Sequence, residues 1–479
     1  MSLSNIYGGI NVSFSAAAFF LFLSTALFGE WYFDRDGEKR RFRFLLAGAS
    51  AASIGILSSG NWLVFVIFLE ILTLSLWGMI SMKDSRAANL YLLSQLAPAG
   101  LILVGAAGVF SDTGSLAIGP VPETWKVFFF AGFGIKAAFP LLHFWLPEAH
   151  GKAPSPASAL LSGFAVKTGI LGLIRAFPEP FRPLVLIGTV MAFFGAFMAI
   201  FPRDIKRVLA YSTMSHLGFM TTAIGAGATS IAAAYAFSHA VIKGTLFMSA
   251  GIIEQTFGTR DISALEGAGR DHFATVAPLV AGAFFAAGLP GTASYLLKNS
   301  VISSLGPSAS WWQPFLLAGA GMLAAGYLLN ITAPLFFKGE TGDRPSRPEP
   351  GKKDNRGKGR GFVVSAVLIL LLVLAADSFS PGILDTIRKV PEILSGSGKA
   401  GSLLVTAVAG VIILLARQRI PGIPHLGLPD IRGISVDGRR AFVRFQQSFG
   451  MLSPRPPECL CFRGPGLPGP SDADTPGRG

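Results

Sequence analysis

The chain has 479 residues, 51% of them hydrophobic and 14% charged, with a mean hydropathy of +0.54. An ordinary soluble domain is roughly 25% charged, and a chain this long would need that charge to coat two or more domains. The composition excludes a soluble protein and indicates an all-α polytopic membrane protein. The formal net charge of +13 does not indicate nucleic-acid binding, because lysines and arginines interrupt long apolar runs instead of forming one stripe, as in the loops of membrane proteins.

About twenty apolar residues cross a bilayer core. That rule predicts thirteen transmembrane helices, near 12–30, 43–60, 61–81, 89–110, 125–143, 156–177, 183–201, 207–226, 230–254, 273–305, 313–337, 361–378 and 401–417. The start MSLSNIYGGI has no basic segment, so no cleaved signal peptide is expected. The fifth span carries Lys136 and Pro140, and the tenth is overlong with Gly288-Leu289-Pro290-Gly291 at its middle. Proline removes an amide donor and clashes with the preceding turn, so both are expected to be broken helices.

Charge asymmetry gives the orientation. With the N-terminus outside, the loops holding Arg35 to Arg43, Lys83 and Arg86, Lys152, Arg203 to Arg207, and Arg260 with Arg270 are cytoplasmic, as is the basic linker 338–360. Arg175, Arg182, Arg388, Lys389 and Lys399 run against the pattern. Tryptophans such as Trp31, Trp62, Trp125, Trp145, Trp311 and Trp312 fall at span ends, where an aromatic belt is expected. After about 419 the chain is rich in Pro, Gly and Arg and reads as a disordered cytoplasmic tail, with 439–452 as a candidate amphipathic helix.

The two breaks are five helices apart, and an odd offset inverts one unit relative to the other. Inverted repeats with matched discontinuous helices are a mark of transporters. The expected organisation is a transmembrane core over 1–337 with repeats at about 43–177 and 183–337, the linker, further helices within 361–418, and the tail.

Ionisable groups in hydrocarbon cost about 2.5–3.5 kcal/mol each on insertion scales and usually mark a pathway. Glu70, Lys136, Lys167, His239, Lys243 and Lys298 lie inside successive spans, and His239 and Lys243 share one helix face. A carboxylate beside a buried lysine holds its proton, and parting the pair releases it; Glu70 with Lys136 would act so, handing the proton to Lys167 and onward. His143, His150 and His216 lie nearer loop ends and read as structural hydrogen-bonding groups, His216 standing equally well as a relay member. No nucleotide-binding glycine motif and no Cys-x-x-Cys occur, and the two cysteines, Cys459 and Cys461, cannot hold a cluster. No cofactor or metal is expected, and any electron transfer belongs to a partner.

The run FGIKAAFPLLHFWLPEAHGKAPSPASALLSGFAVKTGILGLIR (133–175) resembles the antiporter-like subunits of respiratory complex I, multisubunit cation/proton antiporters and membrane-bound hydrogenases. RDIKRVLAYSTMSHLGFM (203–220), SHAVIKGTLFMSAGII (238–253) and GLPGTASYLLK (288–298) continue the match in order, over roughly residues 12–337. The resemblance implies two inverted five-helix repeats, each with a broken helix. It implies that Glu70 pairs with Lys136, that Lys167 is the central-axis lysine, that His239 and Lys243 continue the relay, and that Lys298 serves the second break. It also implies proton translocation, with sodium exchange as an option, partner membrane subunits and a soluble redox arm, in the inner membrane of a prokaryote. WLPEAH, with Glu148, is more similar to hydrogenase-linked and formate-hydrogenlyase-type members than to the complex I form with Asp. Two helices that usually precede residues 12–30 in the family are lacking, as is the long lateral helix of the largest complex I subunit. The alternatives are a subunit of a cation/proton antiporter or bicarbonate-uptake assembly without redox drive, and a passive scaffold. The buried charge set argues against the scaffold.

Overall fold

The structure, a computed structural model, describes residues 3–290, 292–306 and 309–337. The linker, the apolar runs at 361–378 and 401–417, the tail and its cysteines lie outside the described residues, as does Gly291. Among the described residues the regular structure is helical, with two isolated bridges, Asn61–Ala117 and Asp204–Asp261. Helices occupy the eleven spans expected here. Six are long and apolar enough to cross a membrane: Ile10–Tyr32, Trp62–Ser81, Ser85–Thr113, Ser155–Ala176, Thr229–Phe257 and Trp312–Leu335.

Four continuous helices open the chain: α1 (Leu3–Tyr32), α2 (Asp36–Ser58), α3 (Trp62–Ser81) and α4 (Ser85–Thr113). Local polar chemistry sets their starts. Asn61 Oδ1 accepts from the Leu63 N–H at 2.8 Å, and Asp84 Oδ1 accepts from that of Ala87 at 2.9 Å, each satisfying an amide with no partner inside its helix. Helix α2 begins before its apolar run because Asp36 and Glu38 in the first turn complement the helix dipole, which a hydropathy reading does not register.

The fifth span divides into α5 (Lys126–Lys136) and α6 (Trp145–Lys152). The helix stops before Pro140, and Ala138 and Leu141 take left-handed φ values of 62° and 69°. Non-glycine residues hold such values only where the surroundings impose them. Here Trp145 Nε1 donates across the break to the Ile135 carbonyl at 3.3 Å. The next span is α7 (Ser155–Leu160), a π-turn over Leu161–Ala165, and α8 (Val166–Ala176).

Helices α9 (Arg182–Met198), α10 (Ile205–Gly225) and α11 (Thr229–Phe257) form the interior. Every residue of α10 except Arg207 is buried. Glycines let α9 and α10 touch backbone to backbone: a Cβ on Gly218 would lie 2.3 Å from the Ala192 nitrogen. Such small-residue contacts bind helices where lipid offers no hydrophobic gain from association. The short α12 (Ala268–Asp271) leads into α13 (Phe273–Ala287) and α14 (Ala293–Ser304), the two halves of the tenth span, followed by α15 (Trp312–Thr332). Gly288, at φ 74°, ends α13, and Thr292 caps α14.

Two expectations from residue placement need correction. Trp62 and Trp145 are 0% and 1% exposed, so they are core anchors and not members of an interfacial belt. Trp62 packs on Phe129 with ring centroids 4.8 Å apart, and Trp145 on Tyr91 at 5.7 Å. Arg175, which ran against the charge pattern, is buried at the end of α2. It donates to the carbonyls of Ile56, Leu57 and Ser59 at 3.0–3.3 Å, to Ser59 Oγ and to Asn11 Oδ1, and sits over the Phe65 ring. Its charge satisfies a helix terminus, so it carries no information about orientation.

Candidate functional site

The charged groups inside the bundle gather into three clusters. The first lies at the break after α5. Lys136 Nζ is 3.3 Å from Glu70 Oε1 on α3, 3.4 Å from Gln95 Oε1 on α4 and 3.5 Å from Thr73 Oγ1. The lysine side chain is 2% exposed and the glutamate 23%. Lys136 is also the last residue of its own half-helix, in the turn where the helix dipole favours a cation. A small cavity beside Lys136, lined by Thr73, Tyr91, Gln95 and Thr168 with apolar Leu69, Leu72 and Trp145, reaches the end of the π-turn at Ala165.

The second cluster is central. The π-turn frees the Ser162 carbonyl, which accepts from Lys167 Nζ. Ser162 Oγ is 2.8 Å from Thr213 Oγ1 on α10, and Thr213 Oγ1 donates to the Leu209 carbonyl at 2.8 Å. The same carbonyl accepts from Lys243 Nζ on α11 at 3.2 Å, and Lys243 also donates to Ser212 Oγ. Lys167 and Lys243 are distant in sequence and fully buried; Lys167 meets the backbone carbonyl of Ser162, Lys243 that of Leu209, and the Ser162–Thr213 hydroxyl pair lies between those two contacts.

The third cluster leads toward the second break. The ring of His239, one turn from Lys243, is 4.9 Å from that of His216. His216 Nδ1 is 2.8 Å from the Tyr235 hydroxyl. Both imidazoles are 2% exposed, and neither nitrogen of His239 has a hydrogen-bond partner among the described residues. Lys298 Nζ donates to the carbonyls of Ala287 at 2.9 Å and Ala286 at 3.4 Å, the open end of α13, and lies 5.9 Å from the Phe219 ring centroid.

All six residues singled out in the sequence are buried or partly buried between helices, and Glu70 meets Lys136 directly. Lys298 has no carboxylate partner among the described residues; backbone oxygens serve in its place. His216 lies in the middle of α10 against His239, and not near a loop end. Gln95, Thr73, Ser162, Ser212 and Thr213 escaped the sequence reading because neutral groups carry no insertion penalty large enough to stand out. One signal was present: Leu209, Ser212, Thr213 and His216 recur at i, i+3, i+4 and i+7, a single face of a helix.

Buried lysines strung between membrane-length helices, one at each of two helix breaks, define a multi-pass membrane protein of the antiporter-like class. Residues 59–324, more than half of the chain, match the family model described as NADH:quinone oxidoreductase/Mrp antiporter, transmembrane. The chain belongs to this family. It is 30% identical over 472 residues to the A/B component of a probable K+/H+ antiporter of Rhizobium meliloti, covering 85% of this chain and 46% of that protein. It is 30% identical over 343 residues to the N component of the NADH-quinone oxidoreductase of Desulforudis audaxviator, covering 65% of this chain and 68% of that one. The chain thus spans less than half of the first of these relatives. Its fold matches a chain in respiratory complex I of Thermus thermophilus (TM-score 0.63, 24% identity, 77% of this chain and 84% of that one). It likewise matches a chain of the membrane-bound sulfane sulfur reductase, an archaeal respiratory complex (TM-score 0.68, 20% identity, 85% and 84%).

Proposed function

We propose that this chain is the proton-translocating subunit of a multisubunit, redox-driven complex in the inner membrane of a prokaryote, with Glu70, Lys136, Lys167, His239, Lys243 and Lys298 as its relay. The observation that carries this reading is the succession of polar groups across the bundle, from the Glu70–Lys136 pair to Lys298. In the proposed cycle the Lys136 proton is held while Glu70 is near. When the carboxylate turns away, the proton passes toward Lys167, then to Lys243, whose Nζ contacts the Ser212 hydroxyl, and by the two histidines to Lys298. Water admitted at the helix breaks completes the path at each end. The full architecture in this reading has thirteen spans, with inverted repeats at 43–177 and 183–337, an outside N-terminus and a cytoplasmic tail. Other membrane subunits and a soluble redox arm supply the drive.

The alignment with an antiporter component over 85% of the chain favours one second reading, cation/proton exchange with sodium or another alkali cation and no redox drive. Inside-out vesicles carrying the assembled complex separate the two. NADH-driven internal acidification supports the first reading, and a pH change driven only by an alkali-cation gradient supports the second. In either assay Lys136→Ala should abolish proton movement with normal assembly, and transport at the wild-type rate by that variant rejects the relay.

A further inference from the structure

A tyrosine that the relay leaves unused stands beside its middle section. Tyr327, on α15, is 0% exposed, and its hydroxyl has no hydrogen-bond partner among the described residues. A buried hydroxyl in that condition is costly, and in a native fold it calls for a reason. The hydroxyl lies toward Ser212 Oγ on α10, and it is close enough to the Tyr235 hydroxyl on α11 to act on it electrostatically. Ser212 Oγ accepts from Lys243 Nζ, and the Tyr235 hydroxyl is 2.8 Å from His216 Nδ1. Tyr327 thus stands between a group that touches the central lysines and a group that touches the histidines.

On its other side Ser212 shares a crowded acceptor. The Leu209 carbonyl receives Ser212 Oγ at 2.9 Å, Thr213 Oγ1 at 2.8 Å and Lys243 Nζ at 3.2 Å. A carbonyl oxygen has two lone pairs, so one of these donors can leave without stranding it. Ser212 is the donor with an alternative, because a turn of its hydroxyl takes the proton from Leu209 toward the unpartnered Tyr327 oxygen. Beyond Tyr327, the ring of Tyr235 stands edge-on to His216 with centroids 5.8 Å apart, and Lys298 is close enough to act electrostatically on that imidazole. Both tyrosine rings are packed in the core at 0% exposure, so their oxygens are held in place while the O–H bonds can turn. His239 meets His216 by ring contact, at 4.9 Å, with no hydrogen bond from either of its nitrogens among the described residues.

We infer that Tyr327 is a hydroxyl gate in the relay, joining Lys243 to His216 through Ser212 and Tyr235 by a path that bypasses His239. In one transfer the Lys243 ammonium gives a proton to Ser212 Oγ as the Ser212 proton passes to Tyr327, that of Tyr327 to Tyr235, and that of Tyr235 to His216 Nδ1. Each oxygen gains one proton as it loses one, no phenolate forms, and no bond between heavy atoms changes. His216 then releases its Nε2 proton toward Lys298. The hydroxyls must turn back before the next proton follows, and that of Tyr327, held by no partner, does so at least cost. The gate is open when Ser212 faces Tyr327 and closed when it faces Leu209, as it does in this structure. The gate rests on the proton-relay reading, but the two can fail separately.

The experiment uses the assembled complex in inside-out vesicles, energised by whichever of NADH or an alkali-cation gradient drives the wild type. Tyr327→Phe keeps the ring and removes only the hydroxyl. The expected result is a change of internal pH slower by at least about tenfold at normal complex content, as for loss of a proton-transfer group. Tyr235→Phe should slow it as well, and the double variant no further than the slower single one, because two links of one path fail together. A wild-type rate for Tyr327→Phe means that the residue only packs. With transport abolished in Lys136→Ala, that result overturns the gate and leaves the relay standing; wild-type rates for both overturn the relay itself. A wild-type rate for Tyr235→Phe, or losses that multiply in the double variant, also reject the gate. If Tyr327→Phe does not assemble, Ser212→Ala decides. A slowing that Tyr235→Phe does not deepen supports the gate, whereas a wild-type rate or a multiplied loss rejects it.

Discussion

The two helix breaks hold a lysine in the same electrostatic setting by different means. Lys136 is the last residue of α5 and faces a carboxylate, Glu70, at 3.3 Å. Lys298 lies on the second half-helix, α14, and reaches back to the open carbonyls of α13. Lys136 thus lies in the last turn of a half-helix and the Lys298 ammonium meets the end of one, but only the first has a partner that can leave. A side chain can rotate, whereas backbone carbonyls at a helix end stay where they are. In the relay proposed above, this difference would give switching to the Glu70–Lys136 break and a steady receiving site to the Lys298 break.

Removing the switchable lysine should have the largest effect. Lys136→Ala is expected to lower proton movement by at least about 100-fold, as loss of a positioned proton-transfer group commonly does, measured by dye quenching in vesicles. At the other break, Lys298→Gln retains a donor for the Ala286 and Ala287 carbonyls, so the complex should assemble and still fail to translocate. Lys298→Glu should keep part of the rate, because the resemblance implies that either residue serves there. Equal losses in the two variants would remove the receiving role. The pair itself can be tested by stability. Breaking a buried ion pair costs about 3–5 kcal/mol, and Glu70→Gln should fall at or below the lower limit because its side chain is 23% exposed. Glu70→Gln with Lys136→Gln should melt higher in detergent than Glu70→Gln alone; a lower melting temperature would mean that the pair is not coupled.

Smaller effects should follow in the middle and at the edge. Thr213→Val cuts the hydroxyl contact between the π-turn and α10 and strands the Ser162 hydroxyl. A cost of about 1–3 kcal/mol and a several-fold slower rate are expected. Arg175→Ala uncovers the α2 carbonyls and should lower the melting temperature while leaving the rate per assembled complex unchanged. A large change in that rate would make the C-terminal end of α2 part of the path.

Where the chain's chemistry is local, the sequence was sufficient. Among the described residues, the span positions follow from bilayer thickness and apolar run length, and both breaks follow from Pro140 and from Gly288 with Pro290. The six buried ionisable residues stood out because charge is scarce in hydrocarbon. Tertiary structure decided the rest. It brought Lys243 to the Leu209 carbonyl of α10 and Ser162, the residue that Lys167 contacts, to Thr213 on the same helix, which neither lysine's own helix reveals. It moved His216 beside His239, turned Trp62 and Trp145 inward, and accounted for Arg175 as a cap on a distant helix. It also buried His150 against Phe247 with neither ring nitrogen hydrogen-bonded among the described residues, against the structural hydrogen-bonding role expected for it. The physical reason is common to these cases. Hydropathy and proline act within one helix and can be read along the chain, but a hydrogen bond between helices depends on which faces pack together.

The low charge content that placed this chain in a membrane, 14% of 479 residues, was legible from composition alone. Which few of those charges face one another across the bundle was settled only by the contacts of α10 and α11, because in lipid it is close packing and polar pairing that select helix partners.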